Sequence, residues 1–367
     1  MEVQTTTVPI ETPLAARHRN AGAHMGAWFG CALPDDFGDQ RTEQSFAVNS
    51  VALVDKNYRS YFSFAGPDRA RYLNAILTNN IKDLGPGHGM ISLFLNPQGR
   101  ILAEIETHAQ PEKLFCVSYG MIRESLFEAL EKYIIMDDVT LTDETSRYAT
   151  LALEGPLATT VVREMAGVDI SSLNDLDSLE ANVGSIPSRI VKRSPGGVVG
   201  AEFLVEQSRA AALWRILLEA TSKKNGGPMG YAALSAQRLA QGIPWFGYDF
   251  GEKQIPHEAG LQDSHISYTK GCYTGQEIVE RVRSRGQVNR RRVDLLFSGE
   301  SVPESGASLS LDGKEAGYVT RAAKNFFPPS VIGMGYVRKE GNALGTKLDS
   351  LVGIATVVHF PVALQSK

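Results

Sequence analysis

One phrase occurs twice in this chain, and it limits the folds open to it. Phe62 and Phe64 alternate as in a strand, Gly66-Pro67 breaks the run, and Tyr72, Leu73, Ile76 and Leu77 then fall on one helical face. Further on, Leu151 and Leu153 alternate, Gly155-Pro156 breaks, and Val161, Val162 and Met165 mark a second helix. Proline cannot donate to a strand ladder, yet its fixed φ suits the first turn of a helix. Each Gly-Pro is therefore a strand-to-helix switch. Two such switches predict a duplicated α+β half with internal pseudo-symmetry.

The remaining patterns extend both halves. Met90–Leu95 and Ile101–Glu106 read as a β-hairpin joined through Asn96-Pro97-Gln98-Gly99, followed by a helix carrying Ile122, Leu126, Leu130 and Ile134. In the second half, strands near 189–191 and 203–205 precede an amphipathic helix with Leu213, Trp214, Leu217 and Leu218. Another helix covers Ala232–Gln241. From Val293 onward, short alternating runs between glycines and prolines predict a small all-β domain, a barrel. The expected division is a lead through residue 11, a first α+β unit at 12–150, a second at 151–285, and the barrel at 286–367.

Composition narrows function mainly by exclusion. With 367 residues and a net charge of −4, the chain can hold several cores and has no overall basic character for nucleic acid. Cys31, Cys116 and Cys272 are too few, and odd in number, for a disulfide framework. The histidines show no ligand spacing with them, so no metal site is expected. No apolar run is long enough to span a membrane, and the N-terminus lacks a signal-peptide pattern, so the cytoplasm is the expected compartment.

The densest local signal is Lys270-Gly271-Cys272-Tyr273-Thr274-Gly275-Gln276-Glu277. Thr274 and Glu277 have capping-box spacing, and Ile278, Val279 and Val282 then share a face before Gly286. A thiol at a helix amino end, two residues from an ammonium, is placed to favour thiolate. The competing reading is a buried cysteine in a glycine-bracketed turn. Downstream, Arg281, Arg283, Arg285, Arg290, Arg291 and Arg292 crowd one segment, which suits an anionic ligand or an RNA backbone as well as it suits a solvated surface. Other motifs fail on context. Ser267-Tyr268-Thr269-Lys270 lacks its companion motifs, and Gly196-Gly197-Val198-Val199-Gly200 does not have dinucleotide-loop spacing.

The octapeptide resembles the signature K-G-C-[FY]-x-G-Q-E of the YgfZ-type folate-binding proteins and matches every fixed position. Those proteins are similar to the T-protein, the aminomethyltransferase of glycine cleavage. Gly66-Pro67-Asp68, Leu77-Thr78-Asn79, Asn96 to Arg100, Arg238-Leu239 with Gly242 and Pro244, and Gly317-Tyr318-Val319 all resemble T-protein segments. The resemblance implies a three-domain α+β cloverleaf, with a C-terminal β-barrel, around a channel that takes tetrahydrofolate. It implies Cys272 and Lys270 as the functional pair, with Gly271, Tyr273, Gly275, Gln276 and Glu277 completing the signature. Arg238 and Glu202 are its implied folate contacts.

For activity, YgfZ-type membership implies assistance to iron–sulfur cluster assembly or repair. The partners would be iron–sulfur assembly or client proteins, including enzymes that modify transfer RNA. The alternative is a folate-dependent aminomethyltransferase or methyltransferase. T-proteins carry G-G-V-I-D-D-L in the hairpin, with the first aspartate close to the reactive folate nitrogen. This chain reads Gly99-Arg100-Ile101-Leu102-Ala103-Glu104-Ile105, with Ala103 at that position and Glu104 one step on, on the opposite face of the strand. The arginine of another T-protein phrase is replaced by Leu234. Glycine-cleavage activity is accordingly not expected, unless Glu104 stands in for the missing aspartate.

Overall fold

The computed structural model describes residues 8–193 and 199–361, so residues 196–198 of the glycine-rich stretch lie outside the described residues. Within the expected lead, Ile10–Glu11 pairs in parallel with Cys31–Asp36, which also pairs with His24–Trp28.

Both Gly-Pro phrases fold as the sequence predicts. Arg59–Ala65 leads through Gly66-Pro67 into the helix Arg69–Ile76, and Tyr148–Glu154 leads through Gly155-Pro156 into Ala158–Ala166. Each glycine is left-handed, at φ 99° and 127°, and each presses against a carbonyl. A Cβ would meet Asp138 O at 2.2 Å in the first case and Ser50 O at 2.6 Å in the second, so only glycine makes either turn.

The two sheets have matching topology. The first has the order Gly89–Leu95, Ile101–Ala109, Lys113–Tyr119, Arg59–Ala65, Thr140–Asp143. The second runs Ser178–Val183, Ile186–Arg193, Gly200–Glu206, Tyr148–Glu154, Ala52–Asp55, with Gly227–Pro228 added at the edge. A hairpin, a third strand, the Gly-Pro strand and a short flanking strand thus recur in the same order, which is the duplication the repeated phrase predicts.

The short flanking strands are exchanged. Ala52–Asp55 directly precedes the first Gly-Pro strand yet pairs with the second, and Thr140–Asp143 precedes the second yet pairs with the first. A linear division at residue 150 therefore separates strands that pair. The exchange ties the halves together through backbone hydrogen bonds, which sequence periodicity cannot reveal.

Each sheet buries its own apolar face. Phe62, Phe64, Leu73, Phe94, Ala103 and Cys116 belong to one core; Leu53, Leu151, Leu153, Phe203, Leu213 and Trp214 belong to another. The third lobe is a closed six-stranded barrel over Arg290–Val358, the expected C-terminal barrel. The helix Tyr231–Ala240 packs against it, and Asp249 links the two. One oxygen of Asp249 pairs with Arg238; the other accepts from Thr320 Oγ1 at 2.6 Å. Among the described residues, no helix is long and apolar enough to cross a membrane.

Candidate functional site

The three lobes meet around a cavity of about 460 Å³. The first sheet contributes Arg59, Glu104, Glu106 and Tyr119; the second contributes Glu154, Arg193 and Glu202. Leu234, Arg238, Ile243 and Trp245 come from the helix and the turn after it, His265 from the following loop, and Arg292 from the barrel.

Strand alternation decides which residues reach this space. Ala103 and Ile105 are fully buried in the first core, whereas Glu104 and Glu106 line the cavity on the other face. An acid at position 103 would point into apolar packing, so the cavity-facing position of the strand is 104 and it carries a carboxylate. That corrects the inference drawn from Ala103.

Both oxygens of Glu104 are engaged. Tyr119 OH donates to Oε2 at 2.7 Å, and His265 Nε2 lies 3.1 Å from Oε1. Burial raises the Tyr119 phenol well above its ordinary pKa, and the neighbouring Glu104 carboxylate adds to the effect. The phenol is therefore a fixed neutral donor.

Behind Glu104 lies an ionic square that joins the halves. Arg59 reaches Glu106 at 3.0 Å and Glu202 at 2.9 Å, and Arg193 lies 3.2 Å from Glu106 and 3.6 Å from Glu202. Burial opposes ionisation of Glu106, but Arg193 and Arg59, with His108, outweigh it and hold the carboxyl at about 2. Burial also lowers His108 to about 4, keeping that imidazole neutral near pH 7. Both arginine contacts on Glu202 fall on Oε1.

Arg238 is buried and stacks 4.6 Å above Trp245, donating through Nη1 to Asp249 and to Ile243 O at 3.1 Å. Its Nε and Nη2 are buried without a protein partner. Burial lowers its pKa, against the pull of Asp249. The two residues implied as ligand contacts, Arg238 and Glu202, thus both line the cavity.

The octapeptide is placed elsewhere. None of Lys270–Glu277 is in the cavity wall. Lys270 Nζ donates to the carbonyls of Asn74 and Leu77 and, at 3.0 Å, of Asn79, where it satisfies the carboxyl end of the helix Arg69–Ile76. Its ammonium also sits 5.1 Å over the Tyr273 ring, and burial lowers it to about 8. Tyr273 and Val279 fill a core with Leu93, Leu95 and Ile101 of the hairpin.

The helix here is Gln276–Arg285, capped by Gly275 at φ 83° with no side-chain cap, so the capping box expected from Thr274 and Glu277 does not form. Gly275 instead abuts the hairpin turn, where a Cβ would stand 2.7 Å from Asn96 O. Gly271, Cys272 and Glu277 are exposed. Of the arginine run, Arg290 is held by Glu258 at 3.2 Å, Arg292 by Asp294 at 3.1 Å, and Arg283 covers the Tyr268 ring at 4.1 Å.

Sequence reasoning gave no role to Glu106, Tyr119, Arg193 or His265. Alternation in Ile101–Glu106 was the one available signal for Glu106, and it also marked Glu104 as facing away from Ala103. His265 carries no local pattern.

The chain is similar to known proteins along most of its length. The aminomethyltransferase of Streptomyces avermitilis is 26% identical over 345 residues, 93% of each chain. That of Rubrobacter xylanophilus is 26% identical over 329 residues, covering 90% of this chain and 87% of the relative. The glycine cleavage system aminomethyltransferase T of Bartonella henselae superposes with a TM-score of 0.88 at 23% identity, over 96% of this chain and 98% of that one, and shares the fold.

These relatives overturn the iron–sulfur reading, including its role in transfer-RNA modification, and the expectation that aminomethyltransferase activity is absent. That expectation rested on Ala103, which faces a core while Glu104 faces the cavity, and on Leu234, which lines the cavity. The GCVT N-terminal domain matches residues 14–265, more than half of the chain, and the protein belongs to that family.

Proposed function

We infer that this protein is a folate-dependent aminomethyltransferase of the glycine-cleavage type, with tetrahydrofolate as the one-carbon acceptor. The observation that carries this reading is Glu104, a carboxylate facing the central cavity with a neutral phenol on one oxygen and an imidazole on the other. The names of relatives matching nearly the whole chain support it.

The cavity suits a folate. Its volume of about 460 Å³ falls within the usual range for small-molecule pockets, and Leu234, Ile243 and Trp245 supply apolar wall. A pterin presents adjacent N–H donors, and Glu202 Oε2 is left by its arginine partners to accept them. The free Nε and Nη2 of Arg238 are donors for ligand oxygens. Tetrahydrofolate supplies two amine nitrogens that receive the carbon. The protein holds these amines near Glu104, which takes up protons as they lose them. Tyr119 fixes the carboxylate and resists ionisation itself.

Within the family, the Lys270–Glu277 signature supports placing the chain on the YgfZ-type branch. There Lys270 acts by anchoring the segment that carries His265, and Cys272 is an exposed thiol beside that anchor.

The test is to incubate the protein with tetrahydrofolate and an aminomethyl-lipoyl carrier, following methylenetetrahydrofolate and ammonia. Joint production of both is expected. Absence of both at saturating substrates, from a folded protein, would sink the reading.

A further inference from the structure

Two side chains extend the hydrogen-bond chain outward from Glu104. His265 is buried, and its backbone is held where Thr78 Oγ1 donates to His265 O at 2.6 Å. Its Nε2 is 3.1 Å from Glu104 Oε1, and its Nδ1 is 2.7 Å from Ser264 Oγ. Ser264 is exposed and borders the cavity. The order from inside to outside is therefore carboxylate, imidazole, hydroxyl, solvent.

We propose that Ser264 and His265 form a proton relay connecting Glu104 to solvent. This rests on the reading of the site as an aminomethyltransferase. With Glu104 ionised, Oε1 can only accept, so Nε2 carries the imidazole proton and Nδ1 accepts from the Ser264 hydroxyl. In the other state Nε2–H has passed to Glu104 while Nδ1 has taken the Ser264 proton, which a water replaces. Glu104 is then neutral, and the imidazole is neutral in both states. Running the steps backwards returns the proton to solvent. Each hydrogen bond survives the exchange because the Ser264 hydroxyl both donates and accepts.

Such a path lets one carboxylate serve two successive proton removals. Aminomethyl transfer forms two carbon–nitrogen bonds to the acceptor amines and breaks one carbon–nitrogen and one carbon–sulfur bond. Two protons leave the amines, and two reach the departing ammonia and thiol. Glu104 is one carboxylate, and a ligand filling the cavity closes its direct access to water. A side-chain route resets it. Tyr119 cannot serve, because burial keeps its phenol protonated. The arrangement also differs from a hydrolase triad, in which the nucleophilic serine would sit on Nε2 and the carboxylate on Nδ1.

The experiment combines turnover with a spectroscopic readout. H265Q should lower kcat on the order of 10²-fold with KM for tetrahydrofolate little changed, because glutamine can hold Glu104 but cannot carry a proton through. S264A should lower kcat less, with S264T restoring it. Nitrogen-15 spectra of the wild-type protein, with the His265 signal identified by its loss in H265Q, should show the Nε2–H tautomer at neutral pH. Full turnover in both H265Q and S264A, or an Nδ1–H tautomer beside ionised Glu104, would overturn the relay. A wild-type protein with no turnover would instead defeat the aminomethyltransferase reading, and the tautomer would still decide the hydrogen-bond order.

Discussion

The cavity wall and the Lys270–Glu277 segment solve opposite problems. The wall collects charged groups from strands far apart in the chain: Arg59, Glu106, Arg193 and Glu202 are brought within 3.6 Å of their partners only by the packing of two sheets. The octapeptide is contiguous, and three of its residues are taken up by structural partners. Lys270 binds three backbone carbonyls, Tyr273 enters a core, and Gly275 lies against the hairpin turn. A dense motif here marks a demanding local geometry, while the cavity is walled by residues that no short pattern unites. The two are joined through Leu77-Thr78-Asn79, whose carbonyls hold Lys270 and whose threonine holds His265 and, through its carbonyl, Ser267.

The largest expected effect is at the ionic square. R59A leaves two buried carboxylates short of a cation and should cost about 3–5 kcal/mol of stability in denaturant titration. A loss under about 1 kcal/mol would mean the square does not hold the halves together. Acid should reach the same cluster. Because the Glu106 carboxyl is depressed to about 2, its contribution is fully present above the unfolded value of about 4.3 and disappears as pH falls from there toward 2. Acid unfolding monitored by circular dichroism should therefore steepen in that window, and E106Q should flatten it.

Next is E104Q, which keeps shape and removes the proton acceptor. It should reduce methylenetetrahydrofolate formation on the order of 10²-fold while leaving the melting temperature close to wild type. Unchanged turnover would move the chemistry away from the cavity strand. K270M should be milder, at about 1–3 kcal/mol, because it strips the carbonyls at a helix end of their donor. If that segment positions His265, turnover should fall alongside stability. C272A, at an exposed position, should change stability by no more than about 0.5 kcal/mol in thermal melts. A loss of turnover without a loss of stability in C272A would erase the contrast by giving the motif a chemical part.

Much of the architecture was written in local pattern. Alternation, Gly-Pro breaks and helical spacing marked the repeated units, and a change in punctuation marked the barrel, because burial of one face imposes its period on the residues. The same alternation already separated Ala103 from Glu104. The sequence could not say which face of that strand met a core and which met the cavity, because that depends on what packs against the sheet. The exchange of Ala52–Asp55 and Thr140–Asp143 between the halves was equally out of reach, since strand pairing is a contact between distant segments. Cys272 and Lys270 stood out through their neighbours in sequence, whereas His265, Tyr119 and Arg193 acquire meaning only from neighbours in space. Sequence alone determined where the chain turns and which residues share a face. Tertiary packing decided which carboxylate faces the cavity, because it sets the direction of a side chain relative to the other lobes.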